Sequence, residues 1–306
     1  MNRGLPIGAA VGAVGLLAYG VVSWRFSDKL IAQQFTSLGE VDFDGSELVD
    51  PERVTIHGEG VDLAGWYFQN PRRASCAAVM LHGFSGDKSE VLAPAPIFWR
   101  RGFDLLLYDA RGHGESSRAL LSYGVHERED LLRAVEWLSA RTGLARSRIG
   151  LIGWSYGAAT AIQAASEPGG DVGFVVADSS FSSLGDIARF QARERFGSWA
   201  RAFVPGALVT SAIRAGFDGT RPAPVSAIEN VRSPVLLIHS RQDGFTPVEQ
   251  SERIYANSDK TRTRLVVPEW EAPHAHSFTH DPLGYTAIVD DFLKDFAPGL
   301  GVTPAR

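Results

Sequence analysis

An apolar run that ends in two glycines flanking a serine constrains this chain more than any other feature. In Ile149-Gly150-Leu151-Ile152-Gly153-Trp154-Ser155-Tyr156-Gly157-Ala158-Ala159 a strand-like stretch passes through Gly-x-Ser-x-Gly into helix-forming small residues. Gly153 and Gly157 omit side chains where a sharp strand-to-helix turn forces two backbones together. Ser155 is therefore expected at the carboxyl edge of a sheet, with strained φ and ψ. Its hydroxyl would sit at a helix amino terminus. There the positive helix end and the Tyr156 N–H favour the oxygen that turns negative when a serine attacks a carbonyl.

The text around this turn reads as the rest of such a sheet. After Pro51, short apolar runs alternate with helical periodicity, the pattern of a largely parallel sheet covered by helices. Strands are expected at 53–56, 63–68, 77–81, 104–108, 149–153, 174–178, 235–239 and 264–267, the first pair as an antiparallel hairpin. Helices are expected at 128–141, 155–165, 248–256 and 285–296, the first with Leu131, Leu132, Val135 and Leu138 on one face. Residues from about 181 to 233 break the alternation with Arg-, Phe- and Ala-rich helical text, and are expected to form a small cap. Phe190, Phe196, Trp199, Phe203 and Leu208 lie there, either lining an apolar pocket or packing the cap onto the body.

A serine nucleophile needs a base, and the base needs an orienting acid. Asp243 follows the strand ending at His239, on a loop at the expected carboxyl edge, and Asp178 at the end of the preceding strand is the second choice. Beyond the last strand, Pro273-His274-Ala275-His276-Ser277-Phe278-Thr279-His280 offers three histidines, one of which should be the base. The second oxyanion donor is expected from the loop after the third strand, where Gly83 permits a tight turn that aims the Phe84 N–H at Ser155. His82 is expected to brace that loop. Asp109 and Arg111, in a Gly-rich block after the fourth strand, read as structural.

Residues 51 to 297 resemble the α/β-hydrolase superfamily. The likeness is carried by Leu81-His82-Gly83-Phe84, by Asp109-Ala110-Arg111-Gly112-His113-Gly114-Glu115-Ser116, by Gly153-Trp154-Ser155-Tyr156-Gly157, and by Asp243 before His274. More narrowly, the apolar head, Gly65-Trp66-Tyr67 and the ending from His274 through Asp281-Pro282 and Tyr285 resemble bacterial serine aminopeptidase-like hydrolases. In similar sequences the base is followed three residues later by Ser, then by an acidic-Pro pair and a Tyr that opens the last helix. His274 fits, with Ser277, Asp281-Pro282 and Tyr285, and His276 is the alternative. The resemblance implies ester, thioester or amide hydrolysis without fixing a substrate. It also implies an α/β-hydrolase fold: a mostly parallel eight-stranded sheet, helices on both faces and a small helical cap.

The head of the chain is read separately. From Leu5 to Val22 the only ionisable side chain is Tyr19, and a run of about 18 apolar residues can nearly span a bilayer. Residues 1–24 are accordingly expected to be an uncleaved single-pass membrane anchor, of unspecified orientation, followed by a linker over 25–50 and the hydrolase domain over 51–300. Ala18-Tyr19-Gly20 is a poor cleavage site. Attachment and chemistry are expected to separate, because the proposed site begins beyond His82.

Composition closes off other classes. Thirty Lys and Arg against 35 Asp and Glu leave a net charge of −5, no footprint for nucleic acid. A single cysteine, Cys76, allows neither an internal disulfide nor a Cys-clustered metal site. His274, His276 and His280 have metal-like spacing but no accompanying carboxylate cluster, so no metal and no cofactor is expected. The reading is a serine hydrolase of small acyl substrates, with Ser155, His274 and Asp243 as triad and the Phe84 and Tyr156 N–H groups as oxyanion donors. Acyl transfer on the same fold and a non-catalytic binding protein are the alternatives. The sequence carries no sign of oligomeric state.

Overall fold

The structure, a computed structural model, describes residues 7–34, 41, 43, 47–72, 75–219, 221 and 223–301. A long helix α1 (Ile7–Ile31) precedes the sheet. The strands are β1 (Glu52–His57), β2 (Asp62–Phe68), β3 (Cys76–Leu81), β4 (Phe103–Tyr108), β5 (Ile149–Trp154), β6 (Phe174–Asp178), β7 (Val235–Ile238) and β8 (Thr263–Val266). Between them run α2 (Pro96–Trp99), α3 (Glu127–Thr142), α4 (Tyr156–Ala165), α5 (Leu184–Phe196), α6 (Val204–Ala215), α7 (Pro224–Ala227) and α8 (Glu249–Asn257). The chain closes with α9 (Ser277–His280) and α10 (Pro282–Phe296).

The sheet has the order β1-β2-β4-β3-β5-β6-β7-β8. β1 pairs antiparallel with β2, β2 antiparallel with β4, and every later pair is parallel. Chain order reverses direction at β3, which lies between β4 and β5, and in open α/β sheets ligands bind outside the carboxyl ends at such a switch point. Register aligns those ends: Leu81 pairs with Gly153, Trp154 with Asp178, Asp178 with Ile238, and Ile238 with Val266. The loops after β3, β5, β7 and β8 consequently open on one edge.

Strands buried on both faces read as continuous apolar runs because helices cover both sides. On one face, Leu131, Ala134, Val135 and Leu138 of α3 recur at helical spacing and pack with α4, α8 and the sheet. On the other, Ile97 and Phe98 of α2 and Tyr285, Val289, Phe292 and Leu293 of α10 form a second core. Burying each such side chain contributes on the order of 2 kcal/mol.

The Gly-rich block after β4 builds a rigid edge loop. The Asp109 carboxylate accepts from the Lys88 ammonium (2.7 Å), the Lys88 backbone N–H (2.7 Å) and the Glu115 N–H (2.8 Å). Arg111 makes a two-pronged ion pair with Asp130 (2.6 and 2.7 Å).

The membrane-anchor expectation is corrected. No helix among the described residues is long and apolar enough to cross a membrane. Leu5, where the apolar run begins, lies outside the described residues, and the helix does not stop at Val22. It continues through Arg25, Asp28 and Lys29 to Ile31, into residues read as linker. Ala and Gly also contribute little transfer energy, so length alone overstated the run. α1 instead lies against α6. Ser23 and Ser27 are buried there, the Ser211 hydroxyl donates to Ser27 Oγ (3.0 Å), and Arg214 pairs with Asp28 (2.7 Å) while covering the Trp24 ring. A Cβ at Gly206 would stand 2.4 Å from Ser23 Oγ, so that glycine lets the two helices close. Val14, Leu16, Leu17 and Val21 remain exposed.

Candidate active site

The turn after β5 has the strained geometry its glycines foretell. Ser155 sits at φ 51° and ψ −107°, between β5 and α4. A Cβ on Gly153 would meet the Gly157 carbonyl at 2.4 Å, and one on Gly157 would meet the Leu81 and His82 carbonyl oxygens at 2.7 Å. Both contacts are with backbone, which cannot swing aside. The Ser155 N–H donates to the Asp178 carbonyl (2.7 Å), fixing the turn against β6.

Ser155, His274 and Asp243 come together from three loops. His274 Nε2 lies 2.7 Å from Ser155 Oγ, and His274 Nδ1 lies 2.6 Å from Asp243 Oδ2. An ionised carboxylate only accepts, so Nδ1 carries the imidazole proton and Nε2 is left to accept from the serine. Asp243 Oδ1 takes N–H bonds from Phe245 (2.9 Å) and Thr246 (2.8 Å). Burial pushes the Asp243 carboxyl up, but His239, His274 and the Thr246 N–H together hold it well below the ordinary carboxylate range.

Asp178 does not reach His274 by a hydrogen bond; its carboxylate accepts from the Ser179 hydroxyl (2.8 Å). Burial raises its pKa to about 6, against opposing effects of Ser179, His239 and His274. Because the folded value exceeds the unfolded one, Asp178 favours folding below pH ~4 and loses that contribution as pH rises through about 6. Asp178→Asn should therefore flatten the decline in stability between pH ~4 and ~6, read from urea midpoints at the two ends. An unchanged slope would contradict this assignment.

His276 turns away, its Nδ1 donating to the His274 carbonyl (2.7 Å), and His280 ends α9. Among the described residues, no three His, Cys, Asp or Glu side chains are grouped to hold a metal ion.

The loop after β3 approaches the serine closely: a Cβ at Gly83 would lie 3.7 Å from Ser155 Cβ. His82 spans this loop and the one after β4, with Nδ1 donating to the Gly83 carbonyl (2.7 Å) and Nε2 accepting from the Ala110 N–H (3.0 Å). Burial lowers its pKa to about 4, so it stays neutral and keeps both bonds. Tyr156 opens α4, so its N–H is a first-turn donor without an intrahelical acceptor. Sequence reasoning missed Glu90, whose carboxylate accepts from the Gly83 N–H (3.0 Å). Burial raises its pKa while that N–H, His276 and His274 oppose the shift. No spacing signal marks Glu90, because its role depends on how the loop folds back.

A cavity of about 150 Å³ opens on Ser155. Phe84, Tyr156 and Phe245 line it from the sheet edge, and Leu184, Ile187 and Phe196 from α5. Of the five cap residues singled out by sequence, Phe196 alone is in this lining. Phe190 and Phe203 pack against other side chains, Leu208 borders a neighbouring cavity, and Trp199 is largely exposed.

Over 302 residues the chain is 30% identical to the uncharacterized protein YqkD of Bacillus subtilis, covering 95% of this chain and 96% of that one. The chain belongs to the YqkD family. Rv2307c of Mycobacterium tuberculosis, also named as uncharacterized, is 29% identical over 87% of both chains. The family model for X-Pro dipeptidyl-peptidase (S15 family) matches residues 65–204. A thiohydrolase, aneE of Aspergillus aculeatus, is 40% identical over 40% of this chain and 39% of its own. Among solved structures, the Pyrococcus furiosus esterase Pf2001 superposes with a TM-score of 0.69 at 25% identity, covering 87% of this chain and 98% of that one. The acylaminoacyl peptidase of Pyrococcus horikoshii shares the fold, with a TM-score of 0.64 at 19% identity over 85% of this chain and 44% of that one. This YqkD-family chain has the α/β-hydrolase fold and is a hydrolase of the esterase or peptidase-like kind.

Proposed function

We propose that the chain is a serine hydrolase that cleaves esters of apolar acyl groups through an acyl-enzyme. The observation that carries this reading is the unbroken relay from Ser155 Oγ through the His274 ring to Asp243, with links of 2.7 and 2.6 Å. As Ser155 Oγ bonds to the acyl carbon, its proton passes to His274 Nε2, and the carbonyl electron pair moves onto oxygen, toward the Phe84 and Tyr156 N–H groups. Asp243 stays ionised and stabilises the imidazolium. When the tetrahedral species collapses, the C–O bond to the leaving group breaks and His274 returns the proton to it. Water then repeats the sequence on the acyl-enzyme, releasing the acid and restoring Ser155.

The cavity favours an apolar ester over a free peptide amino terminus. None of its lining residues is acidic, and its two charged members are Lys29 and Arg195, which repel an α-ammonium. Esterase Pf2001 and thiohydrolase aneE have names consistent with oxygen or sulfur leaving groups. The test is hydrolysis of p-nitrophenyl alkanoates by the full chain, with intact-mass detection of the acyl-enzyme in acid-quenched samples. An acylated species that forms and decays with turnover is expected. Turnover with no acylated species under conditions that trap it would overturn the covalent route.

A further inference from the structure

The first helix, expected to act apart from the chemistry, lines the cavity that opens on Ser155. Phe26, Lys29 and Leu30 of α1 share that lining with Ser155 and Phe84. Phe26 stacks on Phe196 of α5 at 5.5 Å between ring centres and meets Phe203 edge-on at 6.3 Å. The Leu30 carbonyl accepts from the Tyr123 hydroxyl (2.9 Å), and the Tyr123 ring stacks on Phe84 at 6.0 Å. Just beyond the helix, the Gln34 N–H donates to the Gly112 carbonyl (2.8 Å), and its side-chain oxygen accepts from the Ser85 hydroxyl (2.9 Å). Ser85 adjoins the proposed oxyanion donor and holds a left-handed φ of 65°.

From these contacts we infer that α1 is a working wall of the substrate pocket, and that Phe26 and Leu30 set the length of apolar acyl chain that Ser155 can serve. The inference deepens the hydrolase reading and rests on it for the identity of the bound group. A chain that enters from the Ser155 side meets apolar carbon on α5 and, beside it, on α1, where Phe26 stacks on Phe196. α1 is held by α6 and by the Tyr123 bond to Leu30, and the segment just beyond it by the Gln34 bond to Gly112, so its side chains are fixed limits to the cavity. Removing the Phe26 ring extends the space available to a chain end, and enlarging the ring shortens it. Each methylene newly accommodated or newly refused changes kcat/KM roughly fourfold, the factor that corresponds to about 0.8 kcal/mol per buried CH₂.

The test compares wild type, Phe26→Ala, Phe26→Trp and Trp24→Ala in the full chain, on p-nitrophenyl esters from butanoyl to dodecanoyl. Trp24 packs on the Arg214 side and is absent from the cavity lining, so its variant controls for general disturbance of α1. The long-to-short ratio of kcat/KM should rise in Phe26→Ala, fall in Phe26→Trp and stay near wild type in Trp24→Ala. Calorimetry of straight-chain alkanols on the same proteins reads the length preference without catalysis. Opposite shifts in the two Phe26 variants by either readout support the wall. Identical length profiles in all four proteins overturn it, as does an equal shift in Trp24→Ala. Wild type without ester turnover, but with an alkanol preference that follows Phe26, would sink the hydrolase reading and leave the wall standing.

Discussion

Ser155→Ala lowers kcat for p-nitrophenyl esters by about 10⁴- to 10⁶-fold, the range seen when a unit of this kind loses its nucleophile. The loss is large because, in the proposed mechanism, the oxygen removed is the atom that bonds to the acyl carbon. The remaining oxyanion donors and pocket can only assist attack by water. The fold should survive: the hydroxyl fills no core, and the left-handed backbone at this position is imposed by Gly153, Gly157 and the N–H bond to Asp178. The thermal midpoint should stay within about 3 °C of wild type, since less than ~1 kcal/mol of packing is lost. Steady-state kinetics on the purified variant, with a thermal melt of the same sample, checks both. Turnover within tenfold of wild type would remove Ser155 from the mechanism.

Replacing the two neighbouring histidines should give opposite results. His274→Ala removes the group proposed to accept the serine proton and return it to the leaving group, so its kcat loss should approach that of Ser155→Ala, and the double variant should be little worse than either single one. His276→Ala removes a ring that bonds the His274 carbonyl from the exposed side. Its effect should stay within about tenfold, which is ~1.4 kcal/mol of transition-state stabilisation. The reverse order would move the base to His276, which the sequence left open as the alternative.

The residues that announce themselves in the sequence are those whose constraint is local. Gly153 and Gly157 flank one serine, and the clash each avoids is with a backbone only a turn or a strand away. The parallel strands are legible for a similar reason, since burial on both faces turns each into an apolar run. β2 is harder to place, because nothing in its own text shows that it pairs antiparallel with β4 as well as with β1. Glu90 and α1 are illegible for a different reason. Glu90 acquires its role only when its loop returns to the Gly83 N–H. In α1, Ser23 and Ser27 look like minor interruptions of an apolar run until Gly206, Ser211 and Arg214 arrive from far along the chain to meet them. Hydropathy measures a segment against lipid or water and takes no account of a neighbouring helix.

That placement of α1 changes the functional architecture. The sequence divides the chain into an attachment and an independent catalyst, whereas Phe26, Leu30 and Gln34 join the two. α1 touches the cavity, and Gln34, three residues beyond its end, holds the hydroxyl next to the proposed oxyanion donor.

The central claim, that Ser155 is a nucleophile activated by His274, is tested most directly by locating a fluorophosphonate adduct. The full chain is treated with the probe, digested and mapped by mass spectrometry, alongside His274→Ala. The account predicts a single adduct on the peptide that carries Ser155, formed in wild type and lost or strongly slowed in His274→Ala. An adduct on another serine, or equal labelling of Ser155 without His274, would contradict it.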